Sequence, residues 1–536
     1  MTRNGADVIV VGGGGAGLCA AVAAREAGAE VLLLAKAPVG RACATAYAGG
    51  LFSLGVEGVT PKEHLQRTWE CGRFLNERHL LKVMVEEAPI RVPGLRRFGV
   101  KLDLSPGQAT VGPYAASPTV GGTALTQPLL EFARRQGVRV QDGLLATGLV
   151  LDGRCVRLET VRWATSQVEI WRAKALVVAT GGGASVYGRN DNPGGSTGDG
   201  YALLYHAGVS LQDMEFVQFY PLGFAEPGFF AWNPSVAILD RVRLTNSAGE
   251  PFFQRLLPTW GMKTVAEADL FARYQGALAV ALQWAAGDEV YLHLNELSPN
   301  QWKDRYFASL RRFYPVGFDP ASRPVRVAPT AHFMCGGASI TADGETSLPG
   351  VYACGEVTGG LHGANRVGGN AYSELVVFGQ KAGLAAARWA REQPALKIGV
   401  TPAEITETKI QGWVANTAGP LPRELRKRLN DVADRHLGPL RRGAGLERAL
   451  VELQQLEERL PHMRLERESD LREAFEVENL CLTAKLISQA AIARTESRGV
   501  HFREDYPQEN DAWLRHVVLR RGTEGPVLEI KETDLV

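Results

Sequence analysis

The sequence predicts an α/β fold with a parallel sheet near the N-terminus, an inserted middle segment and a helical C-terminal part. Three observations predict it. Residues 6–11 (ADVIVV), 12–17 (GGGGAG), 18–28 (LCAAVAAREAG) and 30–35 (EVLLLA) read as strand, glycine turn, helix and strand. Residues 175–183 (ALVVATGGG) and 349–356 (PGVYACGE) are two more apolar strands that run into small-residue turns. Residues 403–498 carry apolar side chains at i, i+3, i+4 and i+7 among many charges, the pattern of a helical bundle.

The first unit is a β-α-β with GxGxxG between strand and helix, Gly12, Gly14 and Gly17 holding the motif positions. The first glycine permits the tight turn, the second lets a pyrophosphate approach, and the third lets the helix pack on the strand. The helix start aims unpaired N–H groups at phosphates. Ala35 and Lys36 stand where an acidic ribose ligand is usual, which argues against NAD. Glu356, delivered by the third strand to the cofactor region, completes a set that points to FAD.

Composition excludes several classes. At 45% hydrophobic and 22% charged residues, the chain matches globular averages and is not disordered. Its 59 basic and 58 acidic residues give a charge of +1, with no global pull toward nucleic acid or an anionic membrane. The seven cysteines are scattered and form no CxxC pair, so no metal or iron–sulfur site of its own is expected, and a reduced compartment fits. There is no signal-peptide layout and no apolar run of about 18 residues, so a cytoplasmic protein without a membrane span is expected.

Residues 219–328, rich in aromatics and prolines, interrupt the pattern and read as an insertion. The expected domains are therefore 1–218 with 329–397, a cap at 219–328, a helical domain at 398–499 entered by a linker near 398–402, and a strand-forming tail at 500–536.

Longer strings then show a family. PTAHFMCGGASI (329–340), GEVTGGLHGANRVGGNAYSE (355–374) and RTESRGVHFREDYP (494–507), with TGDG (197–200) and MEFVQF (214–219), resemble the flavoprotein subunits of succinate dehydrogenase and fumarate reductase and their relative L-aspartate oxidase. The resemblance covers nearly the whole chain. It implies an FAD-binding Rossmann-like domain of glutathione-reductase type in two segments, an inserted α+β capping domain and a C-terminal helical bundle domain. It also implies a substrate site between FAD and cap, and hydride transfer between flavin N5 and a carbon next to a carboxylate. By the family's motifs Gly12, Gly14, Gly17, Lys36, Cys43, Gly49, Gly50, Asp199, Glu356, Ala371 and Tyr372 fall beside the cofactor. His332 and Arg366 match carboxylate-binding residues, and Arg273 in LFARYQGAL matches the cap's proton donor.

Three departures bear on function. The family's QFHPTG is QFYPLG here, so Tyr220 replaces a ligand histidine with a phenol that still donates one hydrogen bond. The family's Thr-Glu pair and RGxGG run are replaced by VAILDRVRL, in which Arg241 and Arg243 could serve as carboxylate ligands. Cys43 stands where succinate dehydrogenases carry the histidine that bonds to flavin, so non-covalent FAD is expected. The expected function is that of an FAD-dependent oxidoreductase subunit. It works on a small carboxylate and exchanges electrons with an iron–sulfur partner subunit, cytoplasmic or held at the inner face of the membrane by partners. The alternatives are an electron-transfer subunit with a repurposed site, an L-aspartate oxidase and an adenylylsulfate reductase-like enzyme.

Overall fold

The computed structural model describes residues 5–112, 121–229, 233–303, 317–319, 321–396, 404–523 and 525–533. The linker expected near 398–402 lies outside the described residues. At the centre is a seven-stranded sheet. Strand Gly5–Val11 is parallel to Val31–Leu34 on one side and to the later part of Gln167–Val178 on the other. Arg139–Gln141 and Val351–Ala353 add in parallel, while Leu144–Asp152 and Cys155–Arg162 form an antiparallel meander with the first part of Gln167–Val178.

The central strands are apolar on both faces because both faces are covered. Val8 and Val10 enter a core with Leu18, Val22 and Val376, whereas Ile9 and Val11 enter one that holds Leu429, Leu480 and Leu486. Full burial of each such side chain contributes about 1.5–3 kcal/mol. Helices Gly15–Glu26 and Asn370–Glu392 pack together in the first layer. Helices Pro422–His436, Gly443–Glu457 and Glu468–Ala493 belong to the second and, with Glu404–Ala415, make up the expected helical region.

A second, antiparallel sheet is ordered Val217–Phe224, Val325–Met334, Val290–Leu292, Leu244–Thr245. The boundaries expected at 218/219 and 328/329 both fall inside its first two strands. The tail strand Arg515–Arg521 pairs with Leu211–Gln212 and with Pro526–Glu532.

Two local expectations shift. The glycine turn ends at Gly14, and Gly15–Glu26 is already helical, its first N–H donating to Thr45 Oγ1. The strand expected from residue 175 begins at Gln167. Its first part alternates polar and apolar, as a strand in an antiparallel pair does, and so lacks the continuous apolar run of the buried part.

Candidate active site

Strands Gly5–Val11, Gln167–Val178 and Val351–Ala353 end side by side, and their carboxyl ends open into one cavity of about 1690 Å³. Ligands of open α/β sheets bind at such ends. Gly12 has φ +121°, and a Cβ there would stand 2.1 Å from the Ala179 carbonyl oxygen. Gly12 and Gly14 border the cavity, and the helix behind them has no side-chain cap and no acidic residue in its first turn. The buried Thr180 hydroxyl beside this turn has no partner. A helix start at which only the Gly15 N–H is taken, by Thr45 Oγ1, a glycine cradle and an orphaned hydroxyl fit a dinucleotide's phosphates.

Lys36, Cys43, Gly49, Gly50, Asp199, Glu356, Ala371 and Tyr372 border the same cavity. Gly17 does not. It lies behind the turn, where a Cβ would meet the Gly12 carbonyl oxygen at 1.9 Å, so it serves helix-on-strand packing rather than contact. Lys36 Nζ pairs with Asp199 at 2.6 Å and with Glu476 at 2.9 Å. Burial alone would depress this ammonium, but the two carboxylates outweigh it and hold Lys36 above the ordinary lysine value. Burial pushes the Glu356 carboxyl up to about 7, with the Met334 N–H opposing.

Strands Val217–Phe224 and Val325–Met334 carry the remaining groups. Their ladder is irregular on both sides of Tyr220, which re-aims that side chain. The Tyr220 and His332 rings stand 5.3 Å apart. His332 Nδ1 lies 2.6 Å from Asp191 Oδ2, and Asn233 donates to the same oxygen. Asp191 is clamped there by its own N–H on the Ala331 carbonyl and by Asn192, which donates both to Asp191 Oδ1 and to the His332 carbonyl.

Helix Val265–Phe271 starts on a capping box of Thr264 and Glu267, which sets Asp269 in its second turn. The helix breaks at Ala272 and resumes at Arg273. The carbonyls freed there accept from the next loop: Gly368 N–H donates to Leu270 and Asn365 Nδ2 to Phe271. That ties Arg273 to the loop that carries Arg366. Arg273 Nε donates to Asp269 Oδ1 at 2.9 Å, and the guanidinium lies 4.9 Å from the centre of the Tyr220 ring. Tyr220 donates to Asp269 Oδ1 at 2.7 Å and accepts from the Val236 N–H, and Ser235 donates to Asp269 Oδ2 at 2.6 Å.

Arg366 is 4% exposed. It donates to Gln218 Oε1 and to the Val367 carbonyl, lies over the Phe333 ring, and has no partner at Nε. Among the described residues no carboxylate pairs with it. Burial, with Arg273 nearby, lowers it to about 10. A buried cation without a counter-charge is costly and calls for an anionic ligand. Arg273 differs: burial would lower it, but Asp269 and Tyr220 hold it above the ordinary arginine value. His332 is depressed by burial, which outweighs Asp191.

The cavity thus brings together Arg273, His332, Arg366 and Tyr220 as expected, but the Tyr220 proton is taken by Asp269 and is not offered outward. Arg241 and Arg243 do not border the cavity. Both are exposed, and Arg243 pairs with Glu296, because the apolar Val236, Ile238 and Leu239 between them and the cavity fill the cap's core. Sequence reading missed Asp191, Gln218, Asn233, Ser235 and Asp269. Only Asp269 left a signal, a carboxylate four residues before Arg273 on a helical pattern.

A dinucleotide cradle joined to a buried pair of arginines and a histidine defines a flavin-dependent oxidoreductase. Residues 7–372 match the FAD binding domain family and residues 426–536 the fumarate reductase flavoprotein C-terminal family. The chain is similar to a fumarate reductase (CoM/CoB) subunit of Methanothermobacter marburgensis, 31% identical over 97% of each chain. It is also 31% identical to the L-aspartate oxidase of Streptomyces coelicolor, over 96% of this chain and 91% of that one. A variant of E. coli quinol fumarate reductase superposes with a TM-score of 0.87 at 28% identity, covering 100% of this chain and 98% of that chain. The chain belongs to the fumarate reductase and succinate dehydrogenase flavoprotein family, and it is an FAD-dependent oxidoreductase of that type. No helix among the described residues is long and apolar enough to cross a membrane.

Proposed function

We propose that this subunit interconverts a carbon–carbon single and double bond beside a carboxylate and exchanges the electrons with an iron–sulfur partner subunit. The observation that carries the reading is Arg366, a buried guanidinium with an unused Nε and no ion-pair partner among the described residues, set beside Arg273 and His332 in the cavity that holds the glycine cradle. FAD, when bound there, supplies hydride donation or acceptance at flavin N5.

The chain's own residues supply the rest. Arg366 anchors the carboxylate through charge-assisted hydrogen bonds, held in orientation by Gln218. His332 contributes a second donor at Nε2 once protonated, with Asp191 stabilising the imidazolium. Arg273 gives a proton to the carbon beside the hydride-accepting one, or takes it in the reverse direction. Its affinity for the proton keeps it loaded at any working pH, so only a strongly basic carbanion draws the proton off. Asp269, bonded to Arg273, Tyr220 and Ser235, fixes the donor's position and offers a route for the proton's return.

The absence of the linking histidine at position 43 supports non-covalent FAD. The donors withdrawn at Tyr220 and in the altered cap segment favour a second reading, an electron-transfer subunit with a repurposed substrate site. One experiment separates the two. The native assembly is reduced anaerobically and its flavin absorbance followed on adding fumarate or α,β-unsaturated monocarboxylates. Reoxidation by any of them supports the carboxylate reading, and co-purifying iron–sulfur protein supports the partner. A reducible flavin that no carboxylate reoxidises refutes it.

A further inference from the structure

From the charges that wall the substrate end of the cavity, we infer that the site takes a substrate with one carboxylate and discriminates against dicarboxylates. This rests on the carboxylate reading above and narrows it. The charged groups there are Asp191, Asp269, Glu374, Arg273 and Arg366, with His332 and Glu356 titratable beside them and His362 bonded to Glu374. Asp191 and Asp269 already balance the two guanidiniums, and Glu374 adds a further carboxylate. His332 is neutral in the free protein, so the end carries no net positive charge before ligand arrives, and any ionisation of Glu356 makes it more negative.

A single carboxylate introduces one negative charge, and a proton taken up at His332 neutralises it. A second carboxylate finds no such remedy. It would leave an unbalanced charge in a buried site, which is expensive.

The donors tell the same story. The Tyr220 hydroxyl, the Ser235 hydroxyl and the Asn233 amide all face the cavity, yet each donates to Asp269 or Asp191. The Val236 N–H is taken by Tyr220. Among the described residues, what remains for a ligand is chiefly Arg366 Nε, the terminal nitrogens of Arg273, His332 Nε2 and the second N–H of the Asn233 amide. Arg366 and His332 suffice for one carboxylate. With Arg273 at the reacting carbon, the described residues leave no further cation at this end of the cavity for a carboxylate beyond it. A site that withholds hydrogen bonds from a charged group rejects it strongly.

The test is equilibrium binding to the FAD-loaded, oxidised protein in its native assembly, by calorimetry. The probes are butanoate and trans-2-butenoate against succinate and fumarate, matched in chain length. The expected result is monocarboxylate binding at least tenfold tighter than that of the matching dicarboxylate. Dicarboxylates binding as tightly or more tightly overturn the inference and leave the carboxylate reading intact. Failure of all four to bind while FAD is retained overturns both.

Asp269→Asn removes one of the cavity carboxylates and should shift the preference at least tenfold toward the dicarboxylate. Asp269→Ser makes the same charge change with a smaller side chain and should shift it the same way, so one misfolded variant does not end the test. An unchanged preference in a folded, FAD-loaded variant overturns the charge argument.

Discussion

Arg273 and Asp269 stand one helical turn apart across a break in the cap's helix, and their side chains meet at 2.9 Å. The pair does two things at once. It keeps the guanidinium protonated, and it fixes Nε so that the terminal nitrogens turn away from Asp269. A general acid within reach of its carbon is worth about 10²–10⁴-fold. Arg273→Gln should therefore lower turnover by about 10³-fold or more with little change in KM, and Arg273→Lys should recover only part of it. Single-turnover flavin reoxidation measures this directly. A loss of twofold or less in Arg273→Gln would remove the proton-donor role.

The contact between His332 and Asp191 predicts a pH dependence. In the free protein burial outweighs Asp191 and keeps His332 below its ordinary value, so at pH 7 the ring is neutral and its one proton faces Asp191. To donate from Nε2 to a carboxylate it must bind a second proton, and the bound anion raises its pKa. Carboxylate affinity should be greatest in acid. It should fall by up to tenfold per pH unit between the free and bound pKa values, and level off above the latter. Calorimetry in buffers of different ionisation enthalpy should show uptake of up to one proton at pH 7. His332→Gln should abolish both the uptake and the slope.

How much of this the residues alone reveal depends on how local each feature is. The β-α-β unit is readable because Val8 to Leu34 fold against one another within one short span, and spacing encodes the turn. The role of Arg366 is readable through a long motif string. The partners that define the site's charge are not. Asp191 meets His332 across 141 positions and Lys36 meets Glu476 across 440, and no periodicity links residues so far apart. The Tyr220 proton goes elsewhere than expected for a related reason: a phenol's donor capacity can be counted from sequence, but which acceptor takes it is a matter of packing. Asp269 is within reach of sequence reading, since its relation to Arg273 is helical.

Lys36 illustrates the cost of a distant pairing. It replaces the acidic residue usual at the end of the second strand, and it holds the nearly buried Asp199 and Glu476. Removing it leaves the Asp199 carboxylate without its cation, while Glu476 keeps Arg426 and Arg472. Breaking a buried pair in this way costs about 3–5 kcal/mol. Lys36→Met should lower the melting temperature by several degrees and weaken FAD retention, while Lys36→Arg should restore most of the stability. Thermal unfolding followed by flavin fluorescence reads both. A Lys36→Met protein as stable as the parent would mean that the two carboxylates are protonated or relaxed outward.

Cys43 bears on how the flavin is held. Its side chain borders the cavity in the segment where the family's succinate dehydrogenases carry the linking histidine, so proximity alone would allow a cysteinyl bond. The chemistry opposes it. Burial pushes the thiol up to about 11, with backbone N–H groups opposing only in part. The nucleophile in such a bond is the thiolate, and at pH 7 a thiol with that pKa is ionised at roughly one part in 10⁴. FAD should therefore leave the protein completely on acid or denaturant treatment, with no flavin left on the polypeptide band under ultraviolet light. Cys43→Ser should bind FAD to the same stoichiometry as the parent. Flavin that stays with the denatured chain, and is lost in Cys43→Ser, would show that the pocket lowers the thiol's pKa once the isoalloxazine is in place.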